Sequence, residues 1–133
     1  MKTRKSWEQK LDNASHPHSV TAPERWVGGV AGKTMLIPSA WELDKIVRKI
    51  PTGQTRKMSE IRAEMAKAHG ADIACPMTSG IFLRMLAEYA EEQRTGGEND
   101  IMPYWRVTDD KGKILPKLAL VLEAHHQSVV GLD

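Results

Sequence analysis

Three times between Ser39 and Arg94 the chain sets apolar residues at three- and four-residue spacing, then breaks the pattern with proline, glycine or a polar loop. That repetition constrains the fold more than any other feature, because amphipathic helices of this kind must bury their stripes on one another. The first stretch opens at Pro38-Ser39, with Ser39 as N-cap and Glu42 three residues on, a capping-box pattern. Leu43, Ile46, Val47 and Ile50 form its inward stripe, and Pro51-Thr52-Gly53 ends it. The second runs from Met58 to His69, with Ile61, Met65 and Ala68 inward and Gly70 as the stop. The third runs from Thr78 to Arg94, where Ile81, Phe82, Met85, Leu86 and Tyr89 line the inward face.

After the polar loop Thr95–Asp100 the period changes. Trp105-Arg106-Val107-Thr108 predicts a strand, Asp109-Asp110-Lys111-Gly112 a turn, and Lys113-Ile114-Leu115 a return strand. A last helix is expected over Leu118–His125, and Val129-Val130 ends the chain. The expected fold is therefore mainly α with a small β hairpin. Three helices followed by a hairpin is the order of a winged helix-turn-helix, here a single domain over residues 35–133 with a helix added after the wing. Residues 1–34 read as an N-terminal arm. In it, Ser6 to Leu11 would make a short helix that tucks in Trp7 and Leu11, and Trp26 would anchor the arm on the main body.

A chain of 133 residues has room for one domain and little more. Its longest apolar run, Leu118 to Leu122, is far short of the roughly 20 residues a membrane span needs. Lys2, Arg4, Lys5, Glu8 and Asp12 leave no apolar stretch for a secretory signal. The single cysteine excludes an internal disulfide framework and a cysteine zinc cluster. These features predict a cytoplasmic protein with no membrane contact.

Candidate chemistry is scarce. Gly28-Gly29-Val30-Ala31-Gly32-Lys33-Thr34 ends like a phosphate-binding loop, but Val27 occupies the position of the required first glycine. Met35-Leu36-Ile37-Pro38 also cannot continue as the helix that would hold the phosphate. His16 and His18 flank Pro17, and His125 and His126 are adjacent, without the spacing or the cysteines of a zinc site. Cys75 precedes Pro76 before the third helix with no local base, so it reads as a buried, inert thiol. No cofactor and no metal are expected.

Charge is distributed unevenly. Residues 1–70 carry 13 Lys and Arg against 7 Asp and Glu, whereas residues 71–133 carry 6 against 10. Lys45, Arg48, Lys49, Arg56, Lys57, Arg62 and Lys67 crowd the first two helices and their joining loop, where they could face a polyanion. The third helix carries only Arg84 and Arg94 against Glu88, Glu91 and Glu92. Only its Thr78-Ser79-Gly80 end is small and neutral enough to approach a duplex closely.

Met58-Ser59-Glu60-Ile61, the long helix after Pro76, Pro103-Tyr104-Trp105-Arg106-Val107 and Val121-Leu122-Glu123 occur in an order and spacing that point to one family. From Met35 to His125 the chain resembles the DNA-binding domain of alkylguanine-DNA alkyltransferases, and more closely the bacterial alkyltransferase-like proteins that lack the acceptor cysteine. The resemblance implies a winged helix-turn-helix whose recognition helix enters the minor groove, and a link to DNA repair. Active members flip an alkylated guanine and transfer its alkyl group to the cysteine of Pro-Cys-His-Arg-Val.

This chain departs from that chemistry at each step. Tyr104 stands where the acceptor cysteine would be, and Trp105 replaces the activating histidine, so nucleophile and base are both lost. Met58 replaces the tyrosine that opens the first helix of the pair. Gly80 falls nearest the arginine that fills the gap left by a flipped base, and Arg84 lies a turn later. His125 takes the place of the family glutamate. The resemblance thus implies a non-catalytic protein binding double-stranded DNA through Arg56, Lys57, Thr78, Ser79, Arg84 and Arg106, with Met58, Tyr104 and Trp105 around the former alkyl-acceptor pocket. The alternative is a protein-interaction or structural module that kept the fold and lost DNA, with Trp7, Trp26 and Trp41 as interface anchors.

Overall fold

The computed structural model describes residues 6–125. Lys2, Arg4, Lys5, His126 and Val129-Val130 lie outside the described residues. The longest helix, α4 (Pro76–Thr95), is the element on which the others assemble. Cys75 caps it, its Sγ accepting from the Thr78 amide at 3.4 Å and the Thr78 hydroxyl at 3.1 Å, and Pro76 fills the first position, where no amide is needed. The helix begins two residues earlier than its periodicity predicts, and Cys75 adjoins it directly. Around it pack α1 (Trp7–Asn13), α2 (Ala40–Arg48) and α5 (Pro116–His125).

The inward face of α4 differs from the expected one. Ser79, Leu83, Leu86, Ala87, Ala90 and Glu91 are buried, while Ile81 is 49% exposed. Phe82, Met85 and Tyr89 are half-buried on the flanks. The small side chains of Ala87 and Ala90 turn inward because α4 is packed against both α1 and α2, and large residues there would hold those helices off.

Helix α2 keeps its expected stripe, with Leu43, Ile46, Val47 and the following Ile50 buried. Ser39 Oγ accepts from the Glu42 amide at 3.4 Å, but the Glu42 carboxylate turns away to His69 Nε2 at 2.9 Å, so the second half of the capping box is not made. In α3 (Met58–Ala68), Ile61 and Met65 are buried as expected, whereas Ala66 is covered in place of the exposed Ala68. This helix packs on strands as well as on α2, which rotates its covered face. Gly70, with φ +67°, turns the chain out of it.

Two short sheets complete the frame. In the first, β1 (His18–Thr21) pairs antiparallel with β2 (Thr34–Ile37), and β2 pairs parallel with β4 (Ile73–Ala74). Thr34 and Asp72 clamp that crossing: the Thr34 amide donates to Asp72 Oδ2 at 2.8 Å, and the Asp72 amide donates to Thr34 Oγ1 at 3.1 Å. The Thr34 amide, then its hydroxyl, hold the Asp72 carboxyl below the usual range. In the second sheet, β3 (Arg56–Lys57) pairs parallel with β5 (Val107–Thr108).

Residues set apart as an arm take part in this frame. Leu11 is fully buried in the main core, and β1 is a strand of the first sheet. Trp41 ties α1 to α2, its Nε1 donating to Asp12 Oδ1 at 2.7 Å while its ring meets Tyr89 edge-on. Trp26 packs on a smaller cluster of Ala22, Met35 and Cys75. The glycine-rich loop leads into β2 and not into a helix.

The expected hairpin is smaller than its sequence suggests. Tyr104–Arg106 forms a 3₁₀ turn, so only Val107–Thr108 is extended, and the return strand reduces to a single antiparallel bridge, Thr108 to Ile114. Within the turn Tyr104 is fully buried and Trp105 is partly exposed. No helix among the described residues is long and apolar enough to cross a membrane.

Candidate functional site

Tyr104 is sealed in the core. Its hydroxyl donates to Glu91 Oε2 at 2.7 Å, and Glu91 is itself fully buried. Arg94 Nε donates to the other carboxylate oxygen at 2.7 Å, and its Nη2 donates to the His125 carbonyl at 3.0 Å, which ties the end of α5 into the network. Trp105 meets the Tyr104 ring edge-on, centroids 5.3 Å apart. Burial first, then the hydrogen bond to Glu91 and its charge, push the Tyr104 phenol far above its ordinary value. A phenol so held is a proton donor and not a nucleophile near neutrality. Tyr104 is therefore chemically inert where it stands.

Met58 looks elsewhere. It floors an open groove of about 410 Å³ together with Leu83, Leu115 and Leu118, beneath a rim of Arg62 and Lys117. Asp109 and Asp110 also border it, but both are engaged. Asp110 Oδ1 accepts from the Ser59 hydroxyl at 2.6 Å, and Asp109 Oδ1 accepts from the amides of Lys111 and Lys113 at 2.9 and 3.0 Å. The Lys113 amide leads in holding the Asp109 carboxyl below its usual range. A second hollow of about 260 Å³, lined by Arg84, Glu88, Leu120 and Val121, shares Lys117 with the first. Both hollows border α4 and α5.

The residues expected to meet DNA divide sharply. Arg56 is paired with Glu64 at 2.8 Å, and Arg106 donates to the Ile50 carbonyl at 2.8 Å behind the end of α2. Ser79 is fully buried and cannot reach a phosphate. Thr78 is half-buried with its hydroxyl turned to Cys75. Only Lys57 and Arg84 present exposed cations. Trp105 lines a separate hollow with Arg48, Ile101 and Arg106, so Met58, Tyr104 and Trp105 face three ways and form no common pocket.

Lys57, Arg62, Arg84 and Lys117 are among the cations that make no ion pair among the described residues. Arg62 and Lys117 border the first hollow with Asp109 and Asp110, and Arg84 and Lys117 border the second with Glu88. Along the first half of α4 Met77 is 63% and Ile81 49% exposed, and neither lines a hollow. Lys117 carries no periodic signal in the sequence, as it follows Pro116 at a helix start. Glu91 does carry one: it falls in phase with Leu83 and Ala87, which places a carboxylate on the buried face. Comparison of the chain with protein-family models, with curated proteins and with solved structures finds no match.

Proposed function

We propose that this chain is a non-catalytic protein that binds double-stranded DNA on an alkyltransferase-like winged helix-turn-helix. One observation carries the reading: the first half of α4 is open to solvent on its outward side and bordered by unpaired Arg62, Arg84 and Lys117, with Lys57 at the start of α3. Cations without internal partners are free to neutralise phosphates. Its supports in the fold are the succession of α3, a glycine turn, the short β4 and α4, and the parallel β3–β5 pair that ends in the Asp109–Gly112 turn, which would serve as a reduced wing. Tyr104 supports the absence of alkyl transfer, since the acceptor position holds a phenol locked to Glu91.

A second reading, a protein partner, is favoured by the exposure of Met77 at 63% and Leu120 at 65%. Titration of fluorescent duplexes at two salt concentrations separates the two. Binding should weaken steeply with salt, and Arg62→Glu with Lys117→Glu should weaken it for all sequences alike. Incubation with methylated-guanine DNA should leave the protein mass unchanged. Absence of binding at low salt would transfer this face to a protein ligand, and a gain of one methyl group would restore catalysis.

A further inference from the structure

Strand β1 forms one edge of its sheet, and the alternation of an antiparallel ladder fixes which of its backbone groups are already engaged. The Ala22 amide donates to the Lys33 carbonyl at 2.8 Å. In the same register, Val20 with Met35 and His18 with Ile37 are then the hydrogen-bonded pairs. Strand β2 agrees with this phase. Its Thr34 amide turns to Asp72, and its Leu36 carbonyl accepts from the Cys75 amide at 2.8 Å, both away from β1. The amides and carbonyls of Ser19 and Thr21 therefore point outward from the sheet, and they meet no partner among the described residues.

The edge carries no charge to keep another strand away. His18-Ser19-Val20-Thr21 holds no lysine, no acidic residue and no proline, and all four residues are exposed. Val20 is 38% exposed on the side of the strand that also carries the buried Ala22. It stands opposite Met35, at the open margin of the small cluster of Ala22, Met35 and Cys75. Pro17 and Pro23 bracket the strand, and neither has an amide to donate.

We infer that β1 pairs antiparallel with β1 of a second copy of this chain, about a two-fold axis through Val20. In that register Ser19 of each copy faces Thr21 of the other, and every outward amide and carbonyl of the two strands is used. Val20 meets its own counterpart as a non-hydrogen-bonded pair, the closer kind, and extends the Ala22, Met35 and Cys75 cluster across the axis. Registers centred on Ser19 or Thr21 reach out to Pro17 or Pro23 and set Val20 against His18 or Ala22 instead. The contact is isologous, so it closes at two copies and leaves no edge for a third. A strand of four residues buries less than a permanent interface does, so this dimer is weak and grows with protein concentration. It stands independently of DNA binding.

Sedimentation of the full chain over a hundredfold range of concentration should show monomer passing to dimer. Over the same range, amide exchange should slow at Ser19 and Thr21 and stay constant at Val20, whose amide already faces Met35. Val20→Lys sets like charges face to face and should weaken the dimer at least tenfold while the chain stays folded. Val20→Cys should cross-link to its own copy under mild oxidation, because the closer kind of pair lies within reach of a disulfide. Ser19→Cys, which faces Thr21 of the other copy, should not. A chain that stays monomeric throughout, or one that cross-links equally through either cysteine, overturns the pairing. So does a dimer in which Ser19 and Thr21 exchange as fast as in the monomer. If the chain stays monomeric and an added Val-Thr peptide protects both amides, the edge belongs to a foreign strand and the pairing also falls.

Discussion

The hydroxyl of Tyr104 and the carboxylate of Glu91 are locked together at 2.7 Å with neither residue exposed to solvent. Tyr104→Phe leaves Glu91 Oε2 without that donor in a buried setting, and should cost about 1–3 kcal/mol in urea unfolding at neutral pH. The same contact sets an alkaline limit. The folded phenol keeps its proton above the usual value near 10, so the unfolded chain releases it first. The stabilisation is full below about pH 10 and falls as pH rises beyond it, by about 1.4 kcal/mol per unit for one such group. Urea midpoints from pH 8 to 11 should show this limb flattened in Tyr104→Phe. Tyr89, raised by burial and then by Glu8 and Glu92, supplies a remaining slope of the same sign.

Leu83 and Ile81 sit on opposite sides of α4, at 1% and 49% exposure. Leu83→Ala should destabilise the fold by about 2–5 kcal/mol, and Ile81→Ala should stay within about 0.5 kcal/mol of wild type. Chemical denaturation of the two variants side by side checks the phase of the helix. Comparable losses would return Ile81 to the core.

Arg106 and Arg84 should separate stability from binding. The guanidinium of Arg106 donates to the Ile50 carbonyl at 2.8 Å, so Arg106→Ala should cost about 1.5–3 kcal/mol and leave the salt dependence of DNA binding unchanged. Arg84→Ala should do the reverse, leaving the melting temperature in place and reducing the salt slope by about 0.9. An unchanged slope in Arg84→Ala would remove that residue from the interface.

Helix positions were legible because proline and glycine punctuate them: Ser39, Gly70 and Pro76 mark ends that the structure reproduces within a few residues. Orientation was less legible. Periodicity along α4 offers two stripes, and the one with larger residues won on hydrophobicity, whereas packing from two sides selects the stripe that contains Ala87 and Ala90. The frame contributed by residues 6–34 was hidden for a related reason. A four-residue strand such as His18–Thr21, exposed throughout, has no alternation to betray it until its partner β2 is known. At the candidate site, sequence could show that Arg56 and Arg106 are basic but not that Glu64 and the Ile50 carbonyl already engage them.

The two parallel pairings interleave along the chain. Met35 meets Ile73 in one sheet and Arg56 meets Val107 in the other, so the second loop opens before the first has closed. The stretch common to both is 57–72, which contains the whole of α3. A protease cut there would sever both closures at once, and neither fragment would carry a complete sheet. Helix α3 is thus the clasp through which the molecule must open as one piece. Its amides should exchange with solvent at the rate of global unfolding and not before.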